Sequence, residues 1–271
     1  MIEIAICLAI IGIALVAIVG VLPLGMSVQR ENRESTVINQ DATVFLEAIR
    51  NGARGLNDLT NYVYFITNNW ALYNPNGTVN KSGGNGYTGY PNPTTTIAPG
   101  YVTASGTFTT PAATISNGTN IIGLLSTPEF TDVNGLPINN LLNGNNYYSN
   151  HIVAYVRSIS GPAVEKPPQD NQLLQEDSFS YRIYCVNAPV PTDTNFFNTT
   201  IYPNGPPAYN QQLAANLHEL RLTFLWPQQP NGNLGKGRQT FRALVAGQVA
   251  TNASYGPMLY FYQPQSFAIT K

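Results

Sequence analysis

Residues 1–26 read MIEIAICLAIIGIALVAIVGVLPLGM, and this stretch decides how the chain is organised. Positions 4–26 carry no charged side chain, and an uncharged apolar run of about twenty residues is long enough to cross a bilayer as a helix. A secretory signal peptide is disfavoured, because the acidic Glu3 precedes the run and no small-residue cleavage site follows it. A simple membrane anchor is the plainer alternative, but it leaves a carboxylate at the start of an apolar helix without a role.

The apolar run contains residues that weaken a helix. Pro23 lacks a backbone N–H, and Gly20 and Gly25 lower the helix propensity on either side of it. The sequence therefore predicts that the helix is kinked or melted near Pro23. A simple proline kink within one helix is the alternative to melting.

Several of these features occur together in one known family. The segment MIEIAICLAIIGIALVAIVGVLPLG resembles the prepilin-type N-terminal methylation segment of type IV pilins and of type II secretion pseudopilins. The resemblance depends on the lone Glu3, the I-I-G-I core at residues 10–13, the interruptions at residues 20–25 and the amphipathic continuation. In that family the glutamate lies two residues further from the processed N-terminus than Glu3 lies from Met1, so we expect two mature residues ahead of Met1, and an unusual start at Met1 is the alternative.

The resemblance implies how the chain would work. A pilin-like subunit enters the inner membrane, is handled by a pilus assembly machinery, and polymerises through its N-terminal helix into an extracellular filament at the cell surface. Glu3 would be the assembly contact and would pair with the N-terminal amine of a neighbouring copy, because a carboxylate buried among apolar helices is costly unless it is paired. An interfacial Glu3, stabilised only by the helix dipole, is the alternative.

The chain beyond the apolar run continues as an amphipathic helix. Apolar residues recur near helical spacing between positions 27 and 53, with charges between them. Asn51-Gly52 and Gly55 are the predicted helix stops. We therefore divide the chain into an N-terminal helix at 1–55, with an apolar half at 1–26 and an amphipathic half at 27–55, and a β-rich head at 56–271.

The predicted head is an antiparallel sheet. Short β-rich runs alternate with Gly, Pro and Asn clusters, and strands are predicted to begin near residues 61, 101, 151, 179, 217, 238 and 258. In LHELRLTFLW at residues 217–226, Leu220, Leu222 and Phe224 share one face, which is typical of a half-buried strand. Residues 74–96 and 131–150 are predicted to be long loops. The predicted fold class is α+β, a long N-terminal helix packed on an antiparallel β-sheet domain with long loops.

Few groups suited to catalysis or ligand binding are present. Only 10% of the residues are charged and the net charge is -1, so no partner such as nucleic acid is indicated. His151 and His218 lie in predicted strands, and no catalytic or phosphate-binding motif accompanies them. Cys7 and Cys185 are predicted to be reduced and packed. A faint calcium-loop pattern at residues 132–135 lacks the later ligands. We predict no enzymatic activity, no cofactor and no metal.

The predicted function is that of a structural subunit of a type IV pilus-like filament, with further copies of the same chain as its main partner. The alternative is a minor pilin or pseudopilin of a type II secretion system. Glu3 is expected in both, so it does not separate them. Long polar loops and a weakly charged surface favour the exposed filament.

Overall fold

The computed structural model describes the N-terminal helix and much of the head. The described residues are 2–53, 56–89, 113–115, 117–138, 144–160, 179–190, 212–213, 215–229, 232–253 and 258–267, with only the backbone described at 17–24, 88–89 and 113–114. The helices of this part are α1 (Ile2–Arg50), a 3-10 helix (Asn57–Asn61) and α2 (Gly118–Leu125). The strands are β1 (Val63–Tyr73), β2 (Val79–Gly89), β3 (Ala113–Ile115), β4 (Phe130–Asp132), β5 (Tyr147–Arg157), β6 (Ser180–Pro189), β7 (Leu217–Gln228), β8 (Leu234–Ala246), β9 (Gln248–Asn252) and β10 (Leu259–Gln263).

One large sheet organises the head. Its main path runs β3-β2-β1-β5-β6-β7-β8, and β4 pairs with β5 outside that path. The described pairings are antiparallel except that of β2 with β3. β9 and β10 form a separate two-stranded antiparallel sheet.

The core lies between one face of the large sheet, the helices and the smaller sheet. Residues from all of these elements belong to one apolar cluster. Its fully buried members include Ile38, Phe45 and Ile49 of α1, Ile121 and Ile122 of α2, Ile66, Ile183, Leu222 and Phe224 of the large sheet, and Leu259 of β10. The C-terminal part of α1 is therefore part of the core of the head.

The α+β class predicted from the sequence is corrected by this architecture. Strands make up 46% of the structure and helices 33%, so the fold is mainly antiparallel β. Burial of α1 against the head begins only at Val37. The spacing of apolar residues predicts each element separately, but the share of a helix that a sheet covers depends on contacts between distant segments.

The predicted melting near Pro23 is wrong, whereas a proline kink within one helix stays a prediction. α1 is one helix of 49 residues that runs through Gly20, Pro23 and Gly25. A proline within a helix removes one hydrogen bond and costs about 3 kcal/mol. Melting the segment would give up several hydrogen bonds and would require the helix to nucleate again on the far side, which is unfavourable. Continuing the helix through the proline is therefore the less costly solution.

α1 is the longest element and has a well-defined C-terminal end. At about 1.5 Å per residue, its 49 residues extend over ~74 Å. Gly52 has a φ of 57°, and its N–H donates to the Ile49 carbonyl at 3.0 Å while the Ala53 N–H donates to the Ala48 carbonyl at 2.8 Å. This pair of bonds is the Schellman motif, which confirms Gly52 as a stop. Gly55 lies outside the described residues.

None of the helices, over the residues whose side chains are described, has both the length and the apolarity needed to cross a membrane.

Most of the predicted strands are confirmed. The runs predicted near residues 61, 151, 179, 217, 238 and 258 overlap β1, β5, β6, β7, β8 and β10, whereas the run near residue 101 lies outside the described residues. The alternation predicted for β7 is also confirmed, since Leu220, Leu222 and Phe224 are fully buried and the residues between them are partly exposed.

The predicted long loops are wrong where strands occupy them. β2 lies within 74–96, although its centre reads SGGNG, because Trp70 of β1 stands opposite Gly83 and covers it. A Cβ atom at Gly83 would lie 2.7 Å from the Trp70 ring. An aromatic side chain on the neighbouring strand thus takes the place of the missing one. Likewise, the last two residues of β4 and the first four of β5 lie within 131–150.

Candidate functional site

The first half of α1 presents a large exposed apolar surface. Between residues 2 and 16, nine large aliphatic side chains are each 54–78% exposed. They are Ile2, Ile4, Ile6, Leu8, Ile10, Ile11, Ile13, Leu15 and Val16. Exposed apolar patches of this kind mark sites of association in proteins. We refer to residues 2–16 as the apolar segment.

The apolar side chains surround the helix. Successive residues of an α-helix are rotated by about 100°, so the nine positions are distributed over its whole circumference. A helix that packs against a single partner needs only one apolar stripe, whereas a helix that is apolar all round must be buried on every side. The apolar segment therefore calls for several neighbours or for a surrounding apolar phase.

Glu3 lies in the first turn of α1 and is exposed. An acidic side chain in the first turn interacts favourably with the helix dipole. Within the described part of the chain, no Lys or Arg forms an ion pair with Glu3. Its carboxylate is thus available to a group on another molecule.

The other predicted site residues lie in the same helix, further along the chain. Gly20 and Pro23 are helical, and their side-chain surroundings are outside the described residues. Gly25 is exposed, and a Cβ atom built on it would meet nothing within 4 Å. The structure does not bring Glu3, Gly20, Pro23 and Gly25 together, since they follow one another along a single helix.

A short charged stretch separates the apolar segment from the docked end of α1. The Arg30 Nε donates to Glu34 Oε1 at 2.8 Å, one helical turn away. Arg30, Glu31 and Arg33 are exposed. Ion pairs at this spacing on a helix surface contribute only about 0.3–0.5 kcal/mol.

The docked end of α1 contains an acid that sequence reasoning missed. Asp41 is fully buried, although it is an acid. It lies on the same face of α1 as the buried apolar residues Ile38, Ala42, Phe45 and Ile49. Its spacing in the sequence could have indicated its burial, since residue 41 follows residues 37 and 38 by one helical turn and therefore shares their face.

Four hydrogen bonds converge on the Asp41 carboxylate. The backbone N–H groups of Ile159 and Ser160 donate at 3.0 and 2.9 Å, and the Tyr181 hydroxyl donates at 2.7 Å. The Ser160 hydroxyl makes the fourth bond. Burial raises the pKa of the Asp41 carboxyl above its usual value, while the four hydrogen bonds oppose that shift. Asp41 thus joins α1 to the loop after β5 and to β6.

The histidines and cysteines do not form a reactive cluster. His218 is buried with its ring 5.5 Å from that of Tyr262, whereas His151 is exposed on β5. Burial lowers the pKa of His218 to about 4, against a weaker effect of a hydrogen bond to the Ala215 backbone. Both cysteines are free; Cys185 is packed as predicted, but Cys7 is exposed on the apolar segment. The prediction that Cys7 is packed is wrong for the single chain.

The calcium-like pattern at residues 132–135 forms a turn. Asp132 Oδ1 accepts hydrogen bonds from the backbone N–H groups of Asn134 and Leu136 at 2.9 and 2.7 Å. Gly135 has a φ of 81°, which suits the turn. Among the described residues, no group of three or more His, Cys, Asp or Glu side chains lies close enough to hold a metal ion.

Comparisons with protein-family models, with curated proteins and with solved structures give no match to this chain.

Proposed function

We propose that the chain is the structural subunit of a type IV pilus-like filament at the cell surface, in which many copies pack their N-terminal helices into a central bundle. The observation that supports this proposal most directly is the apolar segment, which is exposed around its whole circumference. In a bundle each helix is surrounded by others, and this arrangement covers such a segment on every side. The resemblance of residues 1–25 to pilin N-termini points to the same use.

The energy available from this surface is sufficient for assembly. Burying one large aliphatic side chain contributes about 1.5–3 kcal/mol relative to full exposure. The nine side chains of the apolar segment already have part of their surface shielded, so their burial contributes on the order of 10 kcal/mol before the costs of association. The head then remains on the outside, where its uncharged polar surface meets water.

Glu3 is the residue that we assign to specificity within the bundle. Apolar contacts between identical helices do not select one axial stagger, whereas an ion pair with the N-terminal amine of a neighbour selects one. A buried unpaired carboxylate costs several kcal/mol, so a wrong stagger is penalised. In Glu3→Gln the size is kept and the charge is lost, and we expect disordered or absent filaments with an unchanged head. Well-ordered filaments from this variant would exclude the pairing.

Electron microscopy of the full chain tests the proposed function. Subunits dispersed in detergent should form long uniform fibres when the detergent is removed. Ile10→Asp places a charge on the apolar segment, and we expect it to abolish the fibres. Val133→Asp is the matched control, because Val133 is also an exposed aliphatic residue, 59% against 62%, but lies in a turn of the head. Normal fibres from Ile10→Asp, or none from the wild type at high concentration, would contradict the proposal.

Thiol labelling provides a second measurement on the unaltered chain. Cys7 is exposed on the apolar segment and should react, in subunits dispersed in detergent, with an apolar maleimide that enters the detergent micelle. It should be protected in fibres, where neighbouring helices cover it. Cys185 is buried in the head and serves as an internal control that reacts only after unfolding. Equal reactivity of Cys7 in subunits and fibres would place the apolar segment outside the assembly contact.

A further inference from the structure

The buried carboxylate of Asp41 needs an explanation beyond stability. A charged or polar group inside an apolar core is costly, and replacing it by an apolar residue of similar size is often neutral or stabilising. Among the described residues, no cation pairs with Asp41; its partners are two backbone N–H groups and two hydroxyls. A leucine at this position would continue the stripe of Ile38, Ala42 and Phe45. The carboxylate must supply something that an apolar side chain does not.

The Asp41 carboxylate supplies directional contacts that fix the orientation of α1 on the head. The apolar contacts of α1 with the head tolerate small rotations and shifts, because apolar burial is non-directional. Hydrogen bonds weaken steeply when their distance or angle departs from the optimum. The donors to Asp41 come from two separate places, residues 159 and 160 after β5 and Tyr181 in β6, so they locate the carboxylate from two directions. A rotation of α1 by one residue, about 100°, would break all of these bonds.

The length of α1 makes this orientation important for the apolar segment. Residue 2 precedes residue 41 by about 58 Å along a helix with a rise of 1.5 Å per residue. A tilt of about 10° at Asp41 would therefore move the start of a straight helix by ~10 Å, which is about the distance between the axes of neighbouring packed helices. Two further described side-chain hydrogen bonds join α1 to the head, and both are weaker. The bond from Gln239 to Asn39 at 3.1 Å is exposed, and that from the Ser160 hydroxyl to the Val37 carbonyl is long at 3.5 Å.

We infer that Asp41 is a positioning residue that sets the orientation of α1 on the head, and that it thereby sets where each head lies relative to the helical bundle. The placement of the heads in a filament rests on the proposed function. The orientation itself is a property of the single subunit. It follows that Asp41 variants should keep the head folded but loosen the direction of the helix.

The direction of α1 is measured by pulsed dipolar EPR on the full chain, dispersed in detergent. One spin label is attached to the native Cys7 and the other to a cysteine introduced by Val133→Cys in the exposed turn of the head. In an otherwise wild-type chain we expect one narrow distance distribution. Asp41→Asn and Asp41→Leu should broaden it at least twofold, even if Asp41→Leu is as stable as the wild type. Asp58→Asn, at an exposed acid of the head, is the matched control and should leave it narrow.

A further variant, Tyr181→Phe, keeps the experiment decisive. If the Asp41 variants do not fold, Tyr181→Phe removes one donor while keeping the buried ring, and it should broaden the distribution by a smaller amount. A distribution as narrow as the wild type in folded Asp41 variants, or in Tyr181→Phe when those variants do not fold, would overturn the inference. Because the labels report on dispersed subunits, this result does not depend on fibres. Failure of the wild type to form fibres would overturn the proposed function alone.

Discussion

The replacement of Phe45 by alanine tests whether the second half of α1 is part of the core of the head. Phe45 is fully buried and belongs to the same apolar cluster as residues of α2 and of both sheets. Truncating a buried phenylalanine to alanine costs about 3–5 kcal/mol, because transfer energy is lost and a cavity remains. We expect Phe45→Ala to lower the free energy of unfolding by this amount.

The neighbouring Val44 provides the control for this experiment. Val44 is 43% exposed and its side chain is rotated by about 100° from that of Phe45 around the helix, so Val44→Ala should change the free energy of unfolding by less than about 1 kcal/mol. Both variants keep good helix formers, which leaves burial as the difference between them. Urea unfolding followed by the fluorescence of Trp70 and Trp226 reports on the head. A loss below about 1 kcal/mol for Phe45→Ala would show that α1 is not docked as described.

Two further predictions concern pH and backbone conformation. Because burial lowers the pKa of His218 to about 4 from 6.5, the folded head disfavours its protonation. The corresponding stability, about 3 kcal/mol, is present above pH 6.5 and is lost as the pH falls to about 4. In urea titrations this component should be absent from His218→Gln, so the difference in unfolding free energy between the two chains should change by about 3 kcal/mol between pH 6.5 and pH 4; a parallel pH dependence of the two chains would contradict it. Gly52→Ala should cost at least about 1 kcal/mol, since Gly52 has a φ of 57° and an added Cβ would lie 2.1 Å from the Tyr262 carbonyl oxygen. Gly25→Ala has free space around it and should leave the unfolding of the head unchanged, so equal effects of the two substitutions would refute this reasoning.

Much of the sheet could be predicted from the sequence because each strand carries its own signal. In β7 the alternation of Leu220, Leu222 and Phe224 with polar residues identifies both the strand and its buried face. β2 carries no such signal, because its glycines have low strand propensity and no side chains to alternate. Its strand conformation depends on pairing with β1 and on the Trp70 ring over Gly83. Both are contacts between two strands, so the residues of β2 alone do not predict them.

The candidate site was also predicted only in part. The apolar segment, Glu3 and the stop at Gly52 could be predicted, since each is a local property of composition or turn chemistry. Melting near Pro23 was predicted from propensities alone and is wrong, because a continuous helix loses fewer hydrogen bonds than a melted one.

An apolar helix with an acid in its first turn, followed by a strand-rich head, could be predicted from the sequence, because hydrophobic periodicity is a property of neighbouring residues. Which part of that helix is docked and which part is exposed depends on contacts made in the folded chain. The Asp41 carboxylate finds its donors at residues 159, 160 and 181, more than a hundred positions along the chain. Such a contact exists only after folding, since it depends on strands that bring distant residues to one place.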